Sequence, residues 1–513
     1  MRALTVAALL AGMACLVCLS DDSDARPGGG RSYRSSSSSY RGSYRSSSGS
    51  TGSSYRRSSS SSSSSGSYRR SAGGTVVVVP TGGGYSSGSS SSSSSTTGII
   101  VTVIIVALVL GLVIWAATRK KTRERAKLHV DPNLRLQGIA ALRQRDPAFD
   151  PIAFAERTKQ TMAKTNEAWL AGDMGATRRL ISDGVYIRFQ TQLALMKLAG
   201  LRNVMAEWSV VSADILAAEG DELWDTVHVK VVGKARDTEV PLSLDAAAAQ
   251  KKAMSAPLEE YHEVWSFIRR RGEKSKAGIP ALEGRCPSCG ADMPISDAVR
   301  CEYCKAIVNS GEHDWVLAEI TQPEEWSTDI AQWNPPGLDD LRQRDQTISR
   351  QELEDRAAVI FWKWVEASAT GKAAKLARFC TFPPQMPDPR YALEAAKLTE
   401  ATLGSSEVAH VVAGQPGGQD LVNIEMRWSA GVNGAEPDNM CHVFTLARSA
   451  DAMSKRRLAS LDCPVCAGPL AGSDAVTCEY CGETLTGGKH EWALDNVQQL
   501  EKMSEEEEMG EED

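Results

Sequence analysis

The sequence predicts a tandem α+β protein: two related units, each with helices first and an antiparallel sheet after, each carrying a four-cysteine ribbon, and one transmembrane helix ahead of both. Three observations predict it. CPSCGADMPISDAVRCEYC, beginning at Cys286, returns as CPVCAGPLAGSDAVTCEYC beginning at Cys463, with the same spacing of CxxC pairs. The flanks repeat too: Leu142-Arg143-Gln144-Arg145-Asp146 matches Leu341-Arg342-Gln343-Arg344-Asp345, and His313-Asp314-Trp315 matches His490-Glu491-Trp492, so a whole domain is duplicated. Finally, residues 98–117 read GIIVTVIIVALVLGLVIWAA, an uncharged run of 20 residues that as a helix spans roughly 30 Å of hydrocarbon.

The N-terminal elements follow from composition. Residues 1–25 hold one early Arg and an apolar run, with Ser23-Asp24-Ala25 as a small-residue cleavage point, which predicts a signal peptide. Residues 26–97 are rich in Arg, Tyr, Gly and Ser, with no acidic residue and too little apolar surface to order. Behind the span, Arg119, Lys120, Lys121, Arg123, Arg125 and Lys127 form a basic juxtamembrane linker over 118–145, so the positive-inside rule places the later units in the cytoplasm and the Ser-rich segment outside. The same cations suit anionic lipid headgroups. Residues 499–513, largely Glu, are an acidic disordered tail. With a net charge of −7 over 513 residues, the composition does not suggest a general nucleic-acid binder.

The two units are expected at residues 146–322 and 340–498. In each, an amphipathic helix carries apolar residues at steps of three and four. Phe154, Met162 and Glu167-Ala168 fall against Leu353, Phe361 and Glu366-Ala367, and Gly172 and Gly371 mark the helix ends. Residues 187–207 read as a further helix, 208–232 as strand, and 238–244 and 259–270 as the remaining strands of the first unit. The copies lie 199 residues apart at the helix and 177 at the cysteines, so the second lacks 22 residues, mostly helix and its loop.

Each ribbon, 286–304 and 463–481, interrupts a hairpin between two strands. Cys286, Cys289, Cys301 and Cys304, and Cys463, Cys466, Cys478 and Cys481, are two complete thiolate sets, which predicts two structural zinc ions with no open coordination position. His313 and His490 recur near the sites, but a filled tetrahedron needs no fifth ligand, so both are assigned to packing or to a hydrogen bond at the sheet edge. Cys380 and Cys441 read as small core residues. The ribbons offer few cations, namely Arg300, Lys305 and Lys489, so nucleic-acid binding is not expected of them.

Asp146-Pro-x-Phe149, the helix ending in Glu167-Ala168-Trp169 with Gly172-Asp173, and the strands VWSFIRR and WVLAEI together resemble the family named for subunit 44 of the mitochondrial inner-membrane translocase. The resemblance implies a cone-like domain similar to nuclear transport factor 2, and a membrane-associated scaffold with no catalytic residue carried over. The second unit departs from the pattern, with Ser368 at the place of Trp169 and Lys372 at that of Asp173. The expected function is therefore a single-pass membrane scaffold whose units bind an unidentified protein partner, with lipid headgroups as a second ligand. The competing reading is an enzyme or small-ligand binder using the cone pocket of the first unit, with Asp225, His228, Tyr261, His262 and Glu263 as candidate groups.

Overall fold

The computed structural model describes residues 130–293, 299–331, 333–454, 458, 461–470 and 472–500. The expected signal peptide, Ser-rich segment and membrane span lie outside these residues, as do 118–129 of the basic linker and 501–513 of the acidic tail; residues 132–145, expected as linker, form a helix, and Gln499 and Leu500, expected in the tail, end the last strand. Among the described residues no helix is long and apolar enough to cross a membrane.

The first unit runs α1 (Pro132–Arg145), α2 (Pro151–Ala171), α3 (Asp183–Leu198), β1 (Leu201–Gly220), β2 (Trp224–Pro241), α4 (Ala246–Ser255), β3 (Leu258–Arg270) and β4 (Val316–Thr321). The second runs α5 (Leu338–Arg342), α6 (Arg350–Thr370), β5 (Leu398–Val412), β6 (Gln419–Val432), β7 (Asp438–Ser449) and β8 (Ala493–Leu500). Each unit holds one antiparallel four-stranded sheet in sequence order. The duplicated helix is α2 in one unit and α6 in the other. Asp150 caps α2 by accepting from Ile152 N–H, Ser349 caps α6 by accepting from Glu352 N–H, and both helices end on a left-handed glycine, Gly172 at φ 69° and Gly371 at φ 65°.

Three local expectations need correction. The helix predicted over 187–207 starts at Asp183 and stops at Leu198, because Gly200 at φ 74° turns the chain into β1. The strand predicted over 208–232 is two long strands folded back at 221–223, where the Asp221 carboxylate accepts from the N–H groups of Leu223 and Trp224. The stretch 238–244 is the end of β2 rather than a strand of its own, and α4 follows it. That helix also explains the shorter second copy. From the start of the second strand to the start of the third is 34 residues in the first unit (Trp224 to Leu258) and 19 in the second (Gln419 to Asp438).

Helix α3 has no helical counterpart, since the matching stretch FPPQMPDPRY carries four prolines and makes only short 3-10 turns. Its absence leaves room for α3 of the first unit to serve both cores. Val185, Phe189 and Met196 pack into the first core, whereas Ile187 and Leu195 pack into the second beside Trp362, Leu398 and Leu403. Gly184 permits the crossing of α3 and α6, since a Cβ there would lie 2.6 Å from Asp355 Oδ1. Hydrogen bonds fix the contact, from Gln192 Nε2 to Ala401 O at 3.0 Å, Gln322 N to Gly404 O at 3.0 Å, and Trp224 Nε1 to Ser349 Oγ at 3.0 Å. The two copies are therefore one fused body.

Candidate metal centres

The ribbons are built from one turn used four times. After each CxxC pair the next N–H returns to the carbonyl of the first cysteine, from Gly290 to Cys286, Lys305 to Cys301, Ala467 to Cys463 and Gly482 to Cys478, at 2.9 to 3.0 Å. That closure demands a left-handed residue, and all four are: φ is 75°, 64°, 57° and 72°. Glycine fills two of the positions at little cost, while lysine and alanine accept a conformation that L residues disfavour.

These turns bring the eight predicted cysteines into two clusters, with the four sulfurs of each within 4.8 Å of one another. Facing pairs are 3.7 Å (Cys286 and Cys304), 3.8 Å (Cys289 and Cys301), 3.8 Å (Cys463 and Cys481) and 3.7 Å (Cys466 and Cys478). A tetrahedron with metal–sulfur bonds of about 2.3 Å has edges of about 3.8 Å, so the donor set has the size of a tetrathiolate metal site. Backbone N–H donation from Ala306 holds the Cys304 thiol down to about 6, while burial pushes Cys286 up to about 12. Four thiolates together therefore need a cation.

Neither recurring histidine lies in a cysteine cluster. His490 Nε2 sits 3.0 Å from Glu483 Oε1 within its own ribbon, and the carbonyl of His313 accepts from Lys276 Nζ. Cys380 is fully buried in the second core, and Cys441 is fully buried beside Val443 and Leu500 and opposite Arg427. Cys380 stands where the first unit has Ile181: each makes an isolated parallel bridge to the incoming strand, Ile181 to Leu317 and Cys380 to Leu494. Beside them a matched arginine supports each ribbon. Arg179 Nη1 donates to Met293 O at 2.8 Å, and Arg378 donates to Leu461 O, Asp462 O and Ser473 O at 3.3 to 3.5 Å.

Where each ribbon leaves its sheet lies a buried charge cluster that the repeated motif LRQRD announces without explaining. In the first unit Arg145 pairs with Asp225 at 2.6 Å, and Arg269 pairs with Asp146 at 3.0 Å while stacking over Trp315 at 4.3 Å. In the second, Arg344 pairs with Asp420, and Arg448 pairs with Asp345 at 3.0 Å and Asp420 at 3.2 Å while stacking over Trp492 at 4.6 Å. Ser275 and Ser454 complete the match, each giving its backbone N–H to the motif aspartate at 2.8 Å. Burial would raise the carboxyls of Asp146 and Asp345, but the Ser275 hydroxyl on Asp146, the two backbone N–H groups and the arginines outweigh it and hold both below the usual range.

The five polar groups considered for a pocket are divided between the two faces of the first sheet, as alternation along a strand requires. Asp225, Tyr261 and Glu263 share the helix-covered face with Val227, Trp265 and Phe267, and that face is filled by buried Phe154, Met162, Trp169 and Phe189. Asp225 belongs to the charge cluster, and its counterpart Asp420 is retained in the second unit. His228 and His262 lie on the opposite face. His228 is 2.8 Å from Ser266 Oγ and 3.2 Å from Glu219 Oε1, in the seam between the units, whereas His262 is half exposed beside Glu260. The seam encloses a cavity of about 50 Å³ lined in part by Arg188, His228, Glu319, Arg350 and Glu354, room for a few water molecules. Arg350 reaches across it to Glu219 at 3.1 Å. Sequence patterning missed this seam because its members come from both copies.

No curated protein matches this chain. Among solved structures it is similar to an "Ntf2 like protein involved in plasmid conjugation", at 8% identity over 66% of this chain and 96% of the other, with a TM-score of 0.16. A family model, the Tim44-like domain, matches residues 136–278, from α1 through β3 to the threshold of the first ribbon.

Proposed function

We propose that this protein is a membrane-anchored scaffold whose fused cytoplasmic units bind a protein partner, with one zinc ion in each ribbon as a structural clip. The single observation that supports a binding role most directly is the sharing of α3 between two cores. A rigid body with two ribbons in fixed relation suits the presentation of surfaces. Tim44-like domains are in general membrane-associated and protein-interacting, which agrees with the uncharged run at 98–117 and the basic residues behind it. Zinc suits four thiolates at these spacings, and a complete set has no open position for chemistry on a substrate. The reading takes the chain as a binding protein rather than an enzyme, with anionic headgroups as a second ligand of the basic linker.

Co-purification from detergent-extracted membranes tests the reading. The full chain should recover a stoichiometric protein partner that a chain lacking residues 130–498 does not. Recovery of none, together with a small metabolite retained by the first unit, would overturn it.

A further inference from the structure

Two copies that have diverged keep in common what both still need. Between the first and second CxxC the ribbons differ throughout 290–295 and 467–472, yet Cys-Glu-Tyr-Cys is the same in both, at 301–304 and 478–481. The cysteines are accounted for by the metal. In the second ribbon other shared residues have a fold duty as well: the Ser473 carbonyl accepts from Arg378, and Asp474 pairs with Lys375 at 3.2 Å. The Glu side chains have no such duty among the described residues, and the tyrosine rings are left largely to solvent. Glu302 and Glu479 are exposed and form no ion pair among the described residues, and Tyr303 and Tyr480 are 72% and 68% exposed. The ring of Tyr480 covers Gly468 of its own ribbon, where a Cβ would lie 2.9 Å from it, and leaves the rest of the ring to solvent.

The two ribbons are neighbours. Arg300, the residue before Cys301, pairs with Asp462, the residue before Cys463, at 3.7 Å. Leu458 N donates to Ser310 O at 3.3 Å, and Leu461 N donates to Asp183 Oδ2 at 2.6 Å, so the stem of the second ribbon is tied to the first unit. One rigid body thus carries two identical carboxylate–phenol tips.

We propose that the tips Glu302–Tyr303 and Glu479–Tyr480 form one bivalent docking surface for an extended, arginine- or lysine-bearing segment of a partner protein. The inference rests on the scaffold reading and names the chemistry of its partner. An exposed tyrosine face attracts a cation and the adjacent carboxylate pairs with it; Lys305, beside the first tip, gives its Nζ to the Glu302 carbonyl at 2.6 Å, and Arg300 is engaged with Asp462. Turns closed on a metal hold each tip in place, so little conformational freedom is lost on binding. Two fixed tips make the second contact intramolecular.

The test is fluorescence anisotropy of a labelled (Arg-Ser)6 peptide and a labelled (Glu-Ser)6 peptide on the detergent-extracted, zinc-loaded full chain. Binding of the arginine peptide should weaken about tenfold in Y303A/Y480A and at least tenfold in E302K/E479K, while Y303F/Y480F stays within about twofold. Zinc content and unfolding temperature should stay unchanged in all three. Equal binding by the wild type and both the alanine and lysine variants, or equal binding of the glutamate peptide, overturns the proposal. A partner recovered equally by the wild type and E302K/E479K overturns the tips and leaves the scaffold reading standing. Tip-dependent peptide binding with no partner recovered from membranes counts against the scaffold reading alone.

Discussion

Replacing Arg448 by methionine should destabilise the protein by about 3–5 kcal/mol, because the change removes the shared cation of two buried carboxylates. Asp345 and Asp420 are both fully buried, and Arg448 reaches them at 3.0 and 3.2 Å. After substitution Asp345 keeps the Ser454 N–H and Asp420 keeps Arg344, but the two negative charges then face each other without the group between them. Loss of the buried stack on Trp492 adds about 2 kcal/mol. Arg344→Met should cost far less, about 1 kcal/mol, because its side chain is 28% exposed and solvent already screens the pair. Urea unfolding of the detergent-extracted full chain, followed by tryptophan emission, measures both. Arg269→Met should match Arg448→Met, since it occupies the same place in the first unit. The triple change R448M/D345N/D420N should recover most of the loss, since no buried carboxylate is then left charged and Arg344, partly exposed and bound to Gly414 O, stays solvated. A loss below about 1 kcal/mol for Arg448→Met, or a larger one for Arg344→Met, would refute the reasoning. Acid should act through the same groups. Asp146 and Asp345 are held below their ordinary value of 3.8, so their contribution is full above that value and is lost as pH falls through the lower folded one. D345N should therefore show a shallower loss of stability in acid.

Other outcomes follow from the same geometry. Gly184→Val should cost about 1–3 kcal/mol by overpacking the α3–α6 crossing and should split a single unfolding transition into two, read by calorimetry; an unsplit, unshifted transition would count against the shared helix. Metal analysis should find about two zinc per chain, and Cys289→Ser or Cys466→Ser should each lose one and unfold its ribbon; a stoichiometry near zero in the parent chain would remove the site assignment. Burial, with Glu319 and Glu407 nearby, pushes Glu354 up to about 8 against the relief given by Arg350. A carboxyl raised on folding costs nothing below its unfolded value near 4.3 and costs progressively more as pH rises to about 8. Glu354→Gln should thus stabilise the protein at pH 8 and leave it unchanged at pH 4, and equal effects at both would contradict that assignment.

Much of the candidate site was legible because metal chemistry is written in short-range spacing. Two cysteines three apart close one turn whatever surrounds them, and a second such pair completes a tetrahedron. The helix ends at Gly172 and Gly371 were legible for a similar reason, since a left-handed cap favours glycine locally. The strand boundaries were less so. β1 and β2 together form one long apolar-rich stretch, and the fold at 221–223 depends on a single aspartate whose side chain satisfies two amides. Helix α4, rich in alanine and lysine, carries few large apolar residues to set a period.

By itself the sequence determined the duplication, the two sets of four cysteines, the α+β order within each unit and the recurrence of LRQRD and the strand tryptophan. Tertiary structure alone decided what those recurrences do: the motif aspartate meets an arginine 123 residues away, and that arginine lies over the tryptophan. It also decided that the copies fuse, because α3 buries residues into both cores and no local pattern states which neighbour an apolar face will meet. The physical reason is range. Turn geometry and ligand spacing act over a few residues and can be read along the chain, whereas desolvation of a charge or an apolar face depends on whatever the fold brings beside it.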